Sequence, residues 1–140
     1  MSVAAIDHVL VLSDDIDATR DFYRDVVGLR VGNRPPLEFP GYWLYAQSPS
    51  ACLHVADRAA YLGHLTTLGL AAGQRTSGDI DHIAFTATDY RTATVRIEAR
   101  GITPVRNSIP GGPRQLFVDD PNGVRIEINV TDSDEPEAQG

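Results

Sequence analysis

Four ionisable side chains stand where apolar runs should continue. His8 and His82 each follow Ile-Asp and precede apolar residues, in "IDHVLV" and "IDHIAF", while His54 in "CLHVA" and Glu127 in "RIEIN" interrupt two later runs. His54 follows His8 by 46 residues and Glu127 follows His82 by 45. Imidazole and carboxylate are donor types that suit a first-row divalent ion, and an imidazole with a pKa of about 6.5 also suits proton transfer. Taken singly, each has a plainer explanation. A lone histidine in a strand is more often a hydrogen-bonded structural residue, and a lone glutamate near a C-terminus is usually solvated. Matched spacing, twice over, is what sets these four apart. Strand alternation turns His82 away from Asp81 and Ile83, and Glu127 away from Ile126 and Ile128, which can pack under a helix.

The elements that must position them read as a repeat. Each His phrase meets a helix-start signal, Ser13-Asp14-Asp15 in the first case and Thr88-Asp89 in the second. In "DATRDFYRDVVG" the stripe Ile16, Thr19, Phe22, Tyr23, Val26 and Val27 predicts one helix face, with Gly28 placed to end it. The weaker stripe Tyr90, Ala93, Thr94 and Ile97 predicts a second helix, closed at Arg100-Gly101. Three strand-like runs follow each helix: "LRVGN", "GYWLYAQ" and "ACLHVAD", then "ITPVRNS", "RQLFVDD" and "VRIEINV", the last two joined by the turn Asp120-Pro121-Asn122-Gly123. The pattern is βαβββ, connector, βαβββ. The connector "DRAAYLGHLTTLGLAAGQRTSGD" is expected to hold one helical turn, with His64 an ordinary surface residue.

Composition narrows the partners. A chain of 140 residues, 42% hydrophobic and 22% charged, is the size of one ordinary domain with a real core. Of the net charge of -7, the body carries -3, because the last ten residues, "TDSDEPEAQG", hold four acids and no base. That tail is expected to be disordered. An acidic chain without a Lys/Arg cluster is a poor partner for nucleic acid or an anionic membrane. No run approaches the ~20 apolar residues that span a bilayer, and no basic segment leads into an apolar stretch, so a soluble cytoplasmic protein is expected. The one cysteine, Cys52, excludes an internal disulfide and fits a reducing compartment. "IPGGPR" lacks the Lys-Ser/Thr of a phosphate-binding loop.

This arrangement resembles the vicinal oxygen chelate superfamily, which includes glyoxalase I, type I extradiol dioxygenases, methylmalonyl-CoA epimerase and the fosfomycin and bleomycin resistance proteins. The resemblance spans residues 4 to 130 and is carried most by "DHV", "DHIAF" and "DPNGVRIEIN". It implies an α+β fold of two βαβββ units forming a curved, cup-like mixed sheet with helices on the convex side. The units would be residues 4–56 and 79–130, with linker 57–78, in a single domain 1–130 followed by the acidic tail 131–140. It also implies one divalent metal ion held by His8, His82 and Glu127, a small-molecule substrate and a homodimer. His54 occupies the fourth place, which is a ligand in some members and a nearby acid or base in others.

Three functions follow from the resemblance. The first is an extradiol-type dioxygenase on Fe(II) or Mn(II), since two histidines and one carboxylate with open positions suit non-haem iron oxygen chemistry, with His54 as the catalytic acid/base. Against ring cleavage, Ser108 and Phe117 stand where those enzymes carry His and Tyr. The second is a glyoxalase or epimerase type on Ni(II), Zn(II) or Co(II), with all four residues on the metal. The third is a metal-free binding protein, disfavoured by the retention of every ligand-capable position. The substrate, able to present two adjacent oxygens, would be lined by residues from the aromatic strand, Tyr42, Trp43 or Tyr45. Arg114 or Gln115 would hold a substrate oxygen.

Overall fold

A computed structural model describes residues 5–69 and 80–131. The stretch 70–79 of the connector and the tail from residue 132 onward lie outside the described residues. Residues 5–24, 28–69 and 80 form one compact unit, and residues 25–27 and 81–131 a second.

The first unit runs β1 (Val9–Ser13), α1 (Ile16–Phe22), β2 (Arg30–Gly32), β3 (Gly41–Tyr45), β4 (Leu53–Asp57) and α2 (Arg58–Thr67). Asp15 starts α1 by accepting a hydrogen bond from the Ala18 amide at 3.0 Å, and a π turn, Tyr23–Val27, extends the helix. Gly28 closes it with φ 93°, a left-handed conformation that glycine adopts without a Cβ penalty. The second unit runs β5 (His82–Ala87), α3 (Tyr90–Glu98), β6 (Val105–Ser108), β7 (Arg114–Asp119) and β8 (Arg125–Val130). Asp89 caps α3 through the Thr92 amide at 3.0 Å.

Both sheets have four strands and the same order, β1-β4-β3-β2 and β5-β8-β7-β6. In each, the first strand lies parallel to the last and the remaining pairs are antiparallel. The register repeats as well. His54 faces Leu10, two residues beyond His8, and Glu127 faces Ala84, two residues beyond His82. On the other flank His54 faces Trp43 and Glu127 faces Phe117. The α+β class and the two βαβββ units are therefore as the sequence pattern predicts.

Period-two alternation divides each sheet into two faces. In the second unit Leu116, Val118, Ile126, Ile128 and Val130 are buried, as are Ala93 and Ile97 of α3. In the first unit Val11, Leu53 and Val55 are buried, with Thr19, Phe22 and Tyr23. Truncating the larger aliphatic ones, such as Leu116 or Ile126, to alanine costs about 2–5 kcal/mol each. The hairpin β7-β8 is held by the buried Asp120, whose Oδ1 accepts from the amides of Asn122 and Val124, both at 2.8 Å. Gly123 supplies the positive φ, 84°, that this turn needs.

One expectation needs correcting. The connector begins with a ten-residue helix, α2, rather than a single turn. Asp57, the last residue of β4, caps it at once by accepting from the Ala60 amide at 2.9 Å, so strand and helix share a residue with no loop to announce the change.

Candidate functional site

The repeated Ile-Asp-His phrase has the same local result in both units. The Asp7 carboxylate meets Nδ1 of His8 at 2.5 Å, and the Asp81 carboxylate meets Nδ1 of His82 at 2.8 Å. An ionised carboxylate only accepts, so Nδ1 carries the proton and the lone pair is left at Nε2. This is the arrangement by which an acid orients a metal-binding imidazole and raises its basicity. Asp81 also meets Arg125 Nη1 at 3.3 Å; the His82 hydrogen bond first, and Arg125 second, hold its carboxyl below the usual range.

On the second sheet three rows of side chains share the face of Glu127. The middle row is Ala84, Glu127, Phe117 and Val105; one flanking row is Thr86, Asn129, Gln115 and Asn107; the other is His82, Arg125 and Asp119. Nε2 of His82 lies 3.8 Å from Oε1 of Glu127. Gln115 Nε2 donates to Oε1 at 3.2 Å and Asn129 Nδ2 donates to Oε2 at 2.9 Å, while Gln115 Nε2 also donates to Asn129 and Gln115 Oε1 accepts from Asn107. The carboxylate is thus hydrogen-bonded on both oxygens, but by neutral amides. No lysine or arginine among the described residues pairs with it. A partly buried carboxylate without a counter-charge suits a cation.

On the first sheet His54 lies between two rings. Its centroid is 3.8 Å from that of His8, at 14°, and 4.1 Å from that of Trp43, at 8°. Burial first, then the charge of His8 and that of Arg34, lowers the His54 pKa to about 4, so it is a neutral imidazole at pH 7. Its two faces are covered, and chemistry can reach it only at a ring edge.

These geometries test whether the residues fit a divalent ion. Two bonds of about 2.0–2.2 Å can bridge donors up to roughly 4.2 Å apart, which the 3.8 Å pair His82 and Glu127 satisfies. His8 and His54 fit differently. A ring nitrogen binds metal in the plane of its ring, and two stacked, nearly parallel planes do not converge on one ion. As arranged, the two cannot ligate the same ion. Among the described residues no group of three or more His, Cys, Asp or Glu side chains gathers as a metal site, and the pair His82 and Glu127 is the closest approach to one in the second unit.

The other sequence candidates divide by strand parity. Trp43 and Tyr45 share the face of His54, Trp43 stacked on it and Tyr45 donating its hydroxyl to the Asn33 carbonyl at 2.6 Å. Tyr42 lies on the opposite, helix-bearing face, its hydroxyl donating to Asp17 at 2.5 Å and accepting from Arg20 at 2.7 Å. Arg114 likewise faces away from Glu127, its guanidinium 4.1 Å over the Tyr90 ring of α3. Neither shares a face with the histidines or Glu127, because each sits one position out of phase with the neighbour that does. Gln115 is on the Glu127 face, with both its N–H donors engaged, one by Glu127 and one by Asn129. Ser108 pairs with Arg114 on the helix-bearing face, and Asn107 takes its place beside Gln115. His64 is within 3.7 Å of Glu38 and borders Phe39. Asp7, Asp81, Asn107 and Asn129 were not singled out by the sequence. The repeat of Asp before His was the available signal for the first two, and i, i+2 parity with Glu127 for Asn129.

Comparison with known proteins agrees with this architecture. A protein from Arabidopsis thaliana named Glyoxylase I 4 is 29% identical over 137 residues, covering 95% of this chain and 74% of its own length. Lactoylglutathione lyase from Agrobacterium tumefaciens shares the fold with a TM-score of 0.63 at 22% identity, covering 93% of this chain and 96% of its own. TnmS3, an antibiotic binding protein from Streptomyces sp. CB03234, does so with a TM-score of 0.66 at 18% identity, covering 93% and 98%. The first of these two structures is named a lyase and the second a binding protein, so the shared fold does not choose between the two. The family model for the Glyoxalase/Bleomycin resistance protein/Dioxygenase superfamily matches residues 5–128, and with two βαβββ units in matched register the chain belongs to that superfamily.

Proposed function

We propose that the protein is a divalent-metal enzyme acting on a small substrate with two adjacent oxygens, with extradiol-type oxygenation as its reaction. His82 and Glu127 are two ligands and His8 the third, carried over from the family pattern. A metal bound there supplies Lewis acidity and open positions for oxygen donors. The observation that carries this reading is the stack of His54 on His8: it favours three ligands with His54 outside the set over four. Asp7 and Asp81 hold the imidazoles by Nδ1, and Gln115 and Asn129 hold Glu127. His54, neutral and open only at its edge, takes a proton from the substrate or returns one. Fe(II) or Mn(II) is the metal that this chemistry calls for.

A second reading, a glyoxalase- or epimerase-type lyase or isomerase on Ni(II), Zn(II) or Co(II), is favoured by the name of the Arabidopsis relative. Protein purified without oxygen or chelator and assayed for metal should hold about one divalent ion per chain. Oxygen uptake by the Fe(II)-loaded form with a panel of catechols, giving a yellow ring-opened product, is the expected result. Hemithioacetal turnover by the Ni(II)- or Zn(II)-loaded form, with no oxygen dependence, would replace it with the second reading.

A further inference from the structure

The Glu127 face of the second sheet is not uniformly polar. Beyond Glu127 the middle row continues into Phe117 and then Val105, an apolar side chain left 67% exposed on the edge strand β6. A cavity of about 560 Å³ opens there, lined by Ile102, Thr103, Val105 and Phe117, with Asp119 and Arg125 also in its lining. That volume lies within the roughly 300–1,000 Å³ of small-molecule pockets. Two of the lining residues tie it to the ligand-capable pair: Phe117 is the cross-strand partner of Glu127, and Arg125 is the cross-strand partner of His82. We propose that this cavity receives the body of the substrate, and that the body is an uncharged apolar ring or branched chain. The inference deepens the proposed function and rests on it for the placement of the substrate's oxygens, though not for the cavity's own preference.

Charge decides the class. Arg125 is the one cation in the lining, and its guanidinium already contacts Asp81 at 3.3 Å while Asp119 stands across the strand pair from it. An anionic substituent would have to displace a carboxylate already in place. An ammonium would find Asp119 beside an arginine of like charge to itself. An apolar group meets the side chains of Ile102, Val105 and Phe117, so burial of its surface against them is favourable at about 25 cal/mol per Å². A multiply charged peptide conjugate fits this lining poorly, since Arg125, its one cation, is already engaged by Asp81.

The test uses the full chain, metal-free, and two fluorescent probes of similar size: neutral N-phenyl-1-naphthylamine and anionic 8-anilinonaphthalene-1-sulfonate. The neutral probe should bind at least as tightly as the anionic one. Val105→Trp, which fills the cavity from an exposed edge position, should weaken the neutral probe tenfold or more with an unchanged melting temperature, and Phe117→Ala should also weaken it. Arg125→Gln should change it less than twofold. Unaltered binding in Val105→Trp, or loss of the probe in Trp43→Leu instead, would overturn the inference. So would tighter binding of the anionic probe that disappears in Arg125→Gln. Metal content measured on the same proteins separates the two claims. Probe binding that follows Val105→Trp in a chain that takes up no metal leaves the cavity standing while the metal reading fails. Metal uptake that depends on Glu127, with a probe indifferent to Val105→Trp, does the reverse.

Discussion

The two units share strand order and register, yet their equivalent positions have been filled with opposite chemistries. At the last strand of the first unit stands His54, a neutral ring packed by two other rings and, among the described residues, without a side-chain hydrogen bond of its own. At the same place in the second unit stands Glu127, an anion gripped on both oxygens by amides. Stacking on both faces fixes the plane of the His54 ring and leaves only its edge open; two hydrogen bonds fix a carboxylate's position and its rotation. The duplicated frame therefore carries one rigid charged donor and one stacked neutral one. A single symmetric site would have used the same residue twice.

The largest expected effect comes from removing the rigid donor. Glu127→Ala should bind at least 100-fold less metal at a given free concentration and lose the thermal stabilisation that added metal provides, because only the folded state offers the site. Elemental analysis and thermal shift with and without metal check this; equal metal content in variant and parent would take Glu127 out of the ligand set. The complementary change is His54→Phe, which keeps a ring between His8 and Trp43. It should retain the metal while turnover falls by ~10²–10⁴-fold, the range for a positioned proton-transfer group. A variant that instead loses metal would make His54 a ligand and erase the contrast between the units.

Smaller effects sharpen the comparison. Asp7→Asn and Asp81→Asn should each weaken metal affinity by about 10–100-fold with little change in melting temperature, as expected for groups that orient a ligand. Competition titration against a chelating dye would show it. The smallest effect is a pH dependence in metal-free protein. The His54 pKa is near 4 when folded against 6.5 for the ordinary group, mainly through burial. The unfolded chain then binds more protons between those values, so stability is unaffected by this residue above about 6.5 and declines as pH falls toward 4. Chemical denaturation at pH 7.5, 6 and 5 should show a decline that is shallower in His54→Phe.

Much of this architecture was legible because strand alternation and helix caps are local signals. The strands carrying His54 and Glu127, the helices after Asp15 and Asp89, and the hairpin at Asp120 all follow from residues within a few positions of one another. What was not legible depends on phase. Tyr42 and Trp43 are both large and aromatic, so no composition rule says which faces the helix; only the pairing of Trp43 with His54 decides it. Arg114 and Gln115 pose the same problem one unit later. The amide network around Glu127 was hidden because Asn107, Gln115 and Asn129 lie on three different strands and look solvated one at a time. The helix α2 was hidden because its cap, Asp57, is also the end of a strand.

The turn around Asp120 makes length, more than composition, the vulnerable quantity in this hairpin. Its side chain counts the residues between β7 and β8 by binding the amides of Asn122 and Val124. A strand has a period of two, so one residue inserted or deleted between Asp120 and Arg125 would leave β8 as long and as apolar as before but inverted. Ile126 or Ile128 would then look out where Glu127 does now, and the carboxylate would be driven beneath α3. Such a chain would keep the sequence of every strand and every amide of the network while having no site to assemble, a frameshift written in the sheet rather than in the code.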